Sequence, residues 1–108
     1  MKLRKFEDHL HEMLRDPEFA AAYLEAAMED CIEEFLYALR DVACAQEGGL
    51  QHVAEQANLG RESMYKSLSK QGNPRIKTLE SILDAVGLEL SVSKSHRKSK
   101  AHSQVPSG

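Results

Sequence analysis

The 108-residue chain is 42% hydrophobic and 29% charged, which is the composition of an ordinary globular domain. Its formal net charge of −3 is unevenly divided: residues 1–47 hold five cations and twelve anions, and residues 48–108 hold nine cations and five anions. With two cysteines and no apolar run near the roughly 20 residues of a membrane helix, the chain matches neither a disulfide scaffold nor a membrane protein. We expect one cytoplasmic domain with an acidic and a basic half.

The acidic half, residues 1–47, predicts N-terminal helices that pack on the rest of the domain. The stretch FEDHLHEML spaces Phe6, Leu10 and Met13 as one narrow helical stripe, which fits a short helix or an ordered arm. The stretch DPEFAAAYLEAAMED starts with Asp16, a helix-capping residue, and with Pro17, which suits a first helical turn. The expected inner face of this second helix consists of Phe19, Tyr23, Ala27 and Cys31.

A third helix is predicted by CIEEFLYALRDVACAQEGG and should stop at Gly48-Gly49. We interpret Cys31 and Cys44 as thiols that pack between helices. The inner face of the third helix should contain Ile32, Phe35, Leu36, Leu39 and Ala43.

Residues 48–92 predict three shorter helices, over 50–57, 61–69 and 77–86, with the last one closed by Gly87. Beyond Gly87 the apolar residues of LELSV alternate, as in a single strand. Such a strand needs a partner, so we expect it to pair with its copy in a homodimer or with another protein, unless it is an extended piece packed on the helices. Residues 93–108 read as a flexible basic tail, which either attracts DNA or keeps the end soluble. The expected core positions of the three helices and the turn are Val53, Ala54, Ala57, Leu59, Met64, Leu68, Leu79, Ile82, Leu83 and Val86.

The stretch ANLGRESMYKSLSK has the parts of a helix-turn-helix. Asn58 can take the left-handed conformation in the turn, Leu59 fills the elbow, and Met64 and Leu68 anchor the second helix. The opposite face of that helix is polar and can meet base edges or phosphates in a DNA major groove. Its candidate DNA-binding residues are Arg61, Glu62, Tyr65, Lys66 and Ser69.

The turn QGNPR follows. Asn73 and Arg75 in this turn and Lys77 just after it can bind the adjacent phosphate backbone together with the first amides of the next helix. In a two-fold dimer, the cations of this region would give about the six to ten contacts typical of specific DNA binders. The alternative is a helix pair whose basic face is merely solvated.

The stretch HVAEQANLGRESMYKSLSKQGNPRIKTLESILDAVGLELSV resembles the Cro-like helix-turn-helix family, and more closely its branch of addiction-module antidotes, the HigA-like antitoxins. That branch typically shows GLSRESLYKAL, then GNP, then a helix ending in ALGLxLxV, and the resemblance extends over about residues 6–92. Here Asn58 replaces the usual Gly and Gly60 the usual capping Ser, which can loosen the second helix by about 1 kcal/mol or less.

The resemblance implies an all-α domain of five to six helices with an N-terminal helical extension and one short C-terminal strand. It also implies an antitoxin that neutralises a RelE-like toxin, a small basic ribonuclease, and represses the shared operon by binding operator DNA. Independently of the resemblance, the acidic half suits a basic protein partner. A plain repressor without a toxin and a helical adaptor that binds only protein remain alternatives.

Catalysis is poorly supported by the sequence, and we expect neither an enzyme, a metal site nor a cofactor. His9 and His11 lie two residues apart and point to different faces of a helix. The serines lack a nucleophile elbow, and no glycine-rich loop could cradle a phosphate.

Overall fold

The computed structural model describes residues 2–69 and 71–95, with the backbone alone for residues 2–7. Within these residues the regular secondary structure is all α-helix, which confirms the predicted helical class, with six α-helices of at most 14 residues. None of these helices offers the length and hydropathy that a bilayer span requires. The side chain of Phe6 and most of the predicted tail, residues 96–108, lie outside the described residues. The helices are α1 (Lys2–Leu14), α2 (Pro17–Asp30), α3 (Ile32–Ala45), α4 (Gly49–Gln56), α5 (Arg61–Ser67) and α6 (Ile76–Ala85).

Helices α2 and α3 form an antiparallel hairpin. The predicted start of α2 is confirmed: Pro17 is its first residue, and the Asp16 carboxylate accepts a 3.4 Å hydrogen bond from the amide of Glu18. The two helices are separated by a single extended residue, Cys31, with φ −171° and ψ 167°. Tyr23 donates a 2.9 Å hydrogen bond from α2 to the carboxylate of Asp41 on α3, which fixes the pairing of the two helices.

The C-terminal end of α3 is hydrogen-bonded to the C-terminal end of α1 through two polar side chains. Arg15 Nε donates to the carbonyl of Ala45 at 2.7 Å, and the side-chain amide of Gln46 donates to the carbonyls of Val42 (2.9 Å) and Leu14 (3.3 Å). These bonds satisfy carbonyls at the last turns of α1 and α3 that have no partner within their own helices. Of the two predicted possibilities, a short helix or an ordered arm, the first segment is therefore a helix that is bonded to the rest of the fold.

Two predicted inner positions of the hairpin, Cys31 and Ile32, are wrong. In α2 the predicted Phe19, Tyr23 and Ala27 are half-buried and pack against the core, while the fully buried residues are Ala20 and Leu24, which were not predicted. The partial exposure of Tyr23 leaves its hydroxyl a polar partner, the carboxylate of Asp41. Cys31 and Ile32 are exposed, because the helix break at Cys31 turns both away from the core. The other predicted positions in α3 are buried: Phe35, Leu36, Leu39 and Ala43.

The link from α4 to α5 is a tight turn whose conformation follows from its hydrogen bonds. Asn58 has φ 62°, which confirms the predicted left-handed residue. The backbone amide of Leu59 donates to the carbonyl of Ala54 at 2.8 Å, and the backbone amide of Asn58 donates to the carbonyl of Glu55 at 3.1 Å. This pair of bonds is the Schellman pattern that closes helix C-termini. The same pattern ends α6 at Gly87, with φ 84°.

The core runs continuously from α1 through α6. Of the ten core positions predicted in residues 53–86, eight are buried, while Leu59 and Leu79 are half-buried against the core. A further buried residue, Leu14 at the end of α1, was not predicted from the stripe of Phe6, Leu10 and Met13.

The predicted C-terminal strand is absent. Residues 88–95 have no regular secondary structure, and the described chain offers no second extended segment to pair with them. Leu88 packs against the core, but Leu90 and Val92 are 44% and 98% exposed. The alternation in LELSV does not produce a strand within one chain, because a strand requires a neighbouring backbone; the expected pairing with a second copy or another protein stays a prediction.

Candidate nucleic-acid interface

Helix α5 presents a polar face because its apolar residues are held in the core. Met64 and Leu68 are completely buried, which fixes the rotation of this short helix. Its first residue follows Gly60, which provides no side-chain cap. The opposite side exposes Arg61, Glu62, Tyr65 and Lys66 to solvent, where sequence analysis placed them.

Lys66 lies on a groove shared with the loop that leads to α6. The groove has a volume of about 440 Å³, and its walls include Lys66, Ser69 and Asn73. Gly72 brings the loop against the end of α5, since its amide donates to the carbonyl of Ser69 at 2.9 Å. Three of the predicted DNA-binding residues therefore line one depression.

Arg61 and Tyr65 lie on the other side of α5. They line a second depression, of about 300 Å³, between α5 and α4, with Cys44 of α3 at its edge. Glu62, Arg75 and Lys77 line neither depression and are exposed. Arg75 precedes the first turn of α6 and Lys77 lies within it, so both stand where the helix amides begin. The predicted residues thus form a band along α5 and the start of α6 and not one compact site.

Ser69 is the predicted residue that fits a phosphate least well. It is half-buried, and its hydroxyl donates to the carbonyl of Lys66 at 3.1 Å. A phosphate oxygen only accepts hydrogen bonds, and the single proton of this hydroxyl is already used. Ser69 is better described as a residue that closes the last turn of α5.

Sequence analysis missed Arg40, which reaches this interface from α3. Its guanidinium carbon lies 5.1 Å from the centre of the Tyr65 ring, a cation–π contact between α3 and α5. Arg40 is the only lysine or arginine between Arg15 and Arg61, and this isolation in an acidic stretch was the available signal. The contact adds a positive charge beside the polar face of α5.

The half-buried Cys44 lies next to Arg40. Burial raises the pKa of the Cys44 thiol and outweighs the opposing effect of the Arg40 charge. The thiol therefore stays protonated and behaves as the packing residue that was predicted. Cys31, by contrast, is exposed, so its predicted packing role is wrong.

Comparison with protein-family models identifies one family. The family model described as probable addiction module antidote protein matches residues 2–94. A relative from Haemophilus influenzae strain Rd, known only as an uncharacterized protein, is 38% identical over 85 residues, which are 78% of this chain and 86% of the relative. No solved structure gives a significant match. A family match that extends from the first helix to beyond α6 covers the whole described fold, and the chain belongs to the probable addiction module antidote family.

Proposed function

We propose that this chain is the antitoxin of a two-component toxin–antitoxin module. It binds operator DNA as a homodimer through a Cro-like helix-turn-helix formed by α4 and α5, and it represses its own operon. It neutralises a RelE-like toxin by direct binding. It acts by binding alone, without catalysis or a cofactor.

The observation that carries the DNA-binding part is the exposed, cationic face of α5. Residues 61–77 contain five cations and one anion in a chain whose net charge is negative. Arg61 and Lys66 are exposed, and the Arg40 guanidinium lies over the ring of Tyr65 on the same helix. A local positive field attracts phosphate despite the net charge, because physiological salt screens charges over about 8 Å.

The test of this part is salt-dependent binding of the purified chain to the DNA upstream of its gene. Lys66→Ala should weaken binding by about 1–3 kcal/mol if Lys66 contacts a base, or reduce the salt slope by about one if it contacts a phosphate. Lys94→Ala removes an exposed cation of the basic tail instead, so a larger effect of Lys66→Ala separates α5 from any nonspecific attraction by the tail. Equal affinities and salt slopes for Lys66→Ala and the unaltered chain would contradict the assignment of α5.

The antitoxin part is tested by co-expression with the product of the adjacent small open reading frame. That product should arrest growth when it is expressed alone, and it should be neutralised by, and co-purify with, this chain. Upstream-DNA binding without rescue or co-purification would instead indicate a plain repressor. Co-purification without DNA binding would indicate an adaptor.

A further inference from the structure

The tip of the α2–α3 hairpin, residues 25–34, is the most acidic part of the described chain. It contains five carboxylates (Glu25, Glu29, Asp30, Glu33 and Glu34) and no lysine or arginine. Glu29 and Asp30 end α2, whose last turn has no basic residue, so they stand at the negative end of the helix dipole. Negative charge is unfavourable at this end of the dipole, so the tip suits a cationic partner.

The same tip exposes apolar side chains. Met28 and Ile32 are 43% and 47% exposed, although both belong to residue types that are usually buried. Apolar side chains ringed by charges of one sign are typical of a surface that binds a protein of the opposite charge.

A groove of about 380 Å³ continues from the tip along the hairpin, lined by α2 and α3 alone. Its lining includes the small residues Ala27 and Ala38, the acidic residues Asp30 and Asp41, and Tyr37. Carboxylates together with an aromatic ring and small residues match an arginine, which pairs through its planar donors and stacks on rings.

Other occupants fit this surface poorly. A second copy would bring five carboxylates against five, and nucleic acid or an anionic membrane would be repelled in the same way. The described residues contain no group of acidic, histidine or cysteine side chains that could hold a metal ion.

We propose that the hairpin tip and its groove form the surface that binds the toxin, and that a basic segment of the toxin inserts an arginine between Tyr37 and the carboxylates of Asp30 and Asp41. This inference rests on the proposed antitoxin function. The lining of the groove includes no residue of α5, so the proposed DNA-binding face stays available.

The experiment measures the affinity of the full chain for the product of the adjacent open reading frame by calorimetry. Asp30→Lys and Tyr37→Ala should each raise the Kd by about tenfold or more, because the first repels the arginine and the second removes its stacking partner. Glu12→Lys makes the same charge change at an exposed position of α1 outside the groove, and its Kd should stay within about threefold.

Thermal unfolding of the free variants distinguishes weaker binding caused by a lost contact from weaker binding caused by misfolding. Asp30→Lys removes an anion from the negative end of α2, so the free variant should unfold roughly 1–4 °C higher than the unaltered chain while binding its partner less well. Both groove variants should keep the DNA affinity of the unaltered chain. If the unaltered chain does not bind the product at all, the proposed function fails and this inference fails with it. If the unaltered chain binds and both groove variants bind equally well, the inference alone is overturned.

Discussion

Asn58 adopts the left-handed conformation that its turn requires, but it does so at a cost in folding stability relative to glycine. Its φ of 62° is the only positive value among non-glycine residues of the described chain. A side chain in this region costs roughly 1 kcal/mol that glycine does not. Asn58→Gly should therefore raise the free energy of unfolding by up to about 1 kcal/mol, measured by urea denaturation. Asn73→Gly, at a position with ordinary φ, should be neutral or destabilising, and an equal gain from both changes would exclude this explanation.

Tyr23 links the stability of the hairpin to pH. Burial, together with its hydrogen bond to Asp41, raises the pKa of Tyr23 to about 12, whereas the unfolded value is about 10. The stabilising contribution is complete below pH 10 and is lost as pH rises from 10 to 12, because the unfolded chain ionises first. Tyr23→Phe should lower the free energy of unfolding by about 1 kcal/mol at pH 7, and this difference should shrink above pH 10. Urea denaturation at pH 7, 9 and 11 measures it, and a difference that stays constant to pH 11 would contradict the assignment.

At the scale of elements, the position of the loop after α5 depends on Gly72. A Cβ atom at this residue would lie 2.7 Å from the carbonyl oxygen of Lys66 and closer still to that of Ser67. Gly72→Ala must push the loop away from α5, which separates Asn73 from Lys66. We expect a loss of about 1–3 kcal/mol in unfolding free energy and weaker binding to upstream DNA, measured by denaturation and by titration.

Gly60→Ser is the matched control for that change. A Cβ atom at Gly60 meets nothing within 4 Å, and serine can cap α5 where glycine provides no side chain. This variant should gain a few tenths of a kcal/mol in stability and keep its DNA affinity. Equal behaviour of the two variants would show that the close approach at Gly72 is unimportant.

At the scale of the whole molecule, the acidic groove and the cationic face belong to different helices. The groove is lined by α2 and α3, and the polar face stands on α5 and the start of α6. We therefore expect toxin and operator DNA to bind together. In a gel-shift assay, adding the adjacent gene product should retard the DNA complex of the unaltered chain further, whereas the complex of Asp30→Lys should require about tenfold more of the product for the same retardation. Release of the DNA by the toxin would show that the two surfaces interfere.

The success of prediction differed between the two halves of the fold. In α4 to α6 the helix ends were predicted to within two residues, and the turn and most core positions were predicted correctly, because caps, left-handed residues and apolar spacing act over a few residues. In α2 the predicted residues pack against the core, but the two fully buried positions, Ala20 and Leu24, were not predicted, since an alanine-rich helix is compatible with several orientations. All the proposed DNA-binding residues except the half-buried Ser69 are exposed as predicted, but the separation of Lys66 from Arg61 and Tyr65 into two depressions was not predicted.

The amino-acid sequence alone was sufficient to establish a helical chain with an acidic and a basic half, a helix pair joined at Asn58, and a family resemblance carried by that pair. These properties depend on neighbours in the chain. The contact of Arg40 with Tyr65, the groove beside Asp30 and Tyr37, and the lack of a strand at LELSV emerged only when the helices were assembled. Each depends on residues distant in sequence, and local spacing does not determine which helix faces meet or whether an extended segment finds a partner.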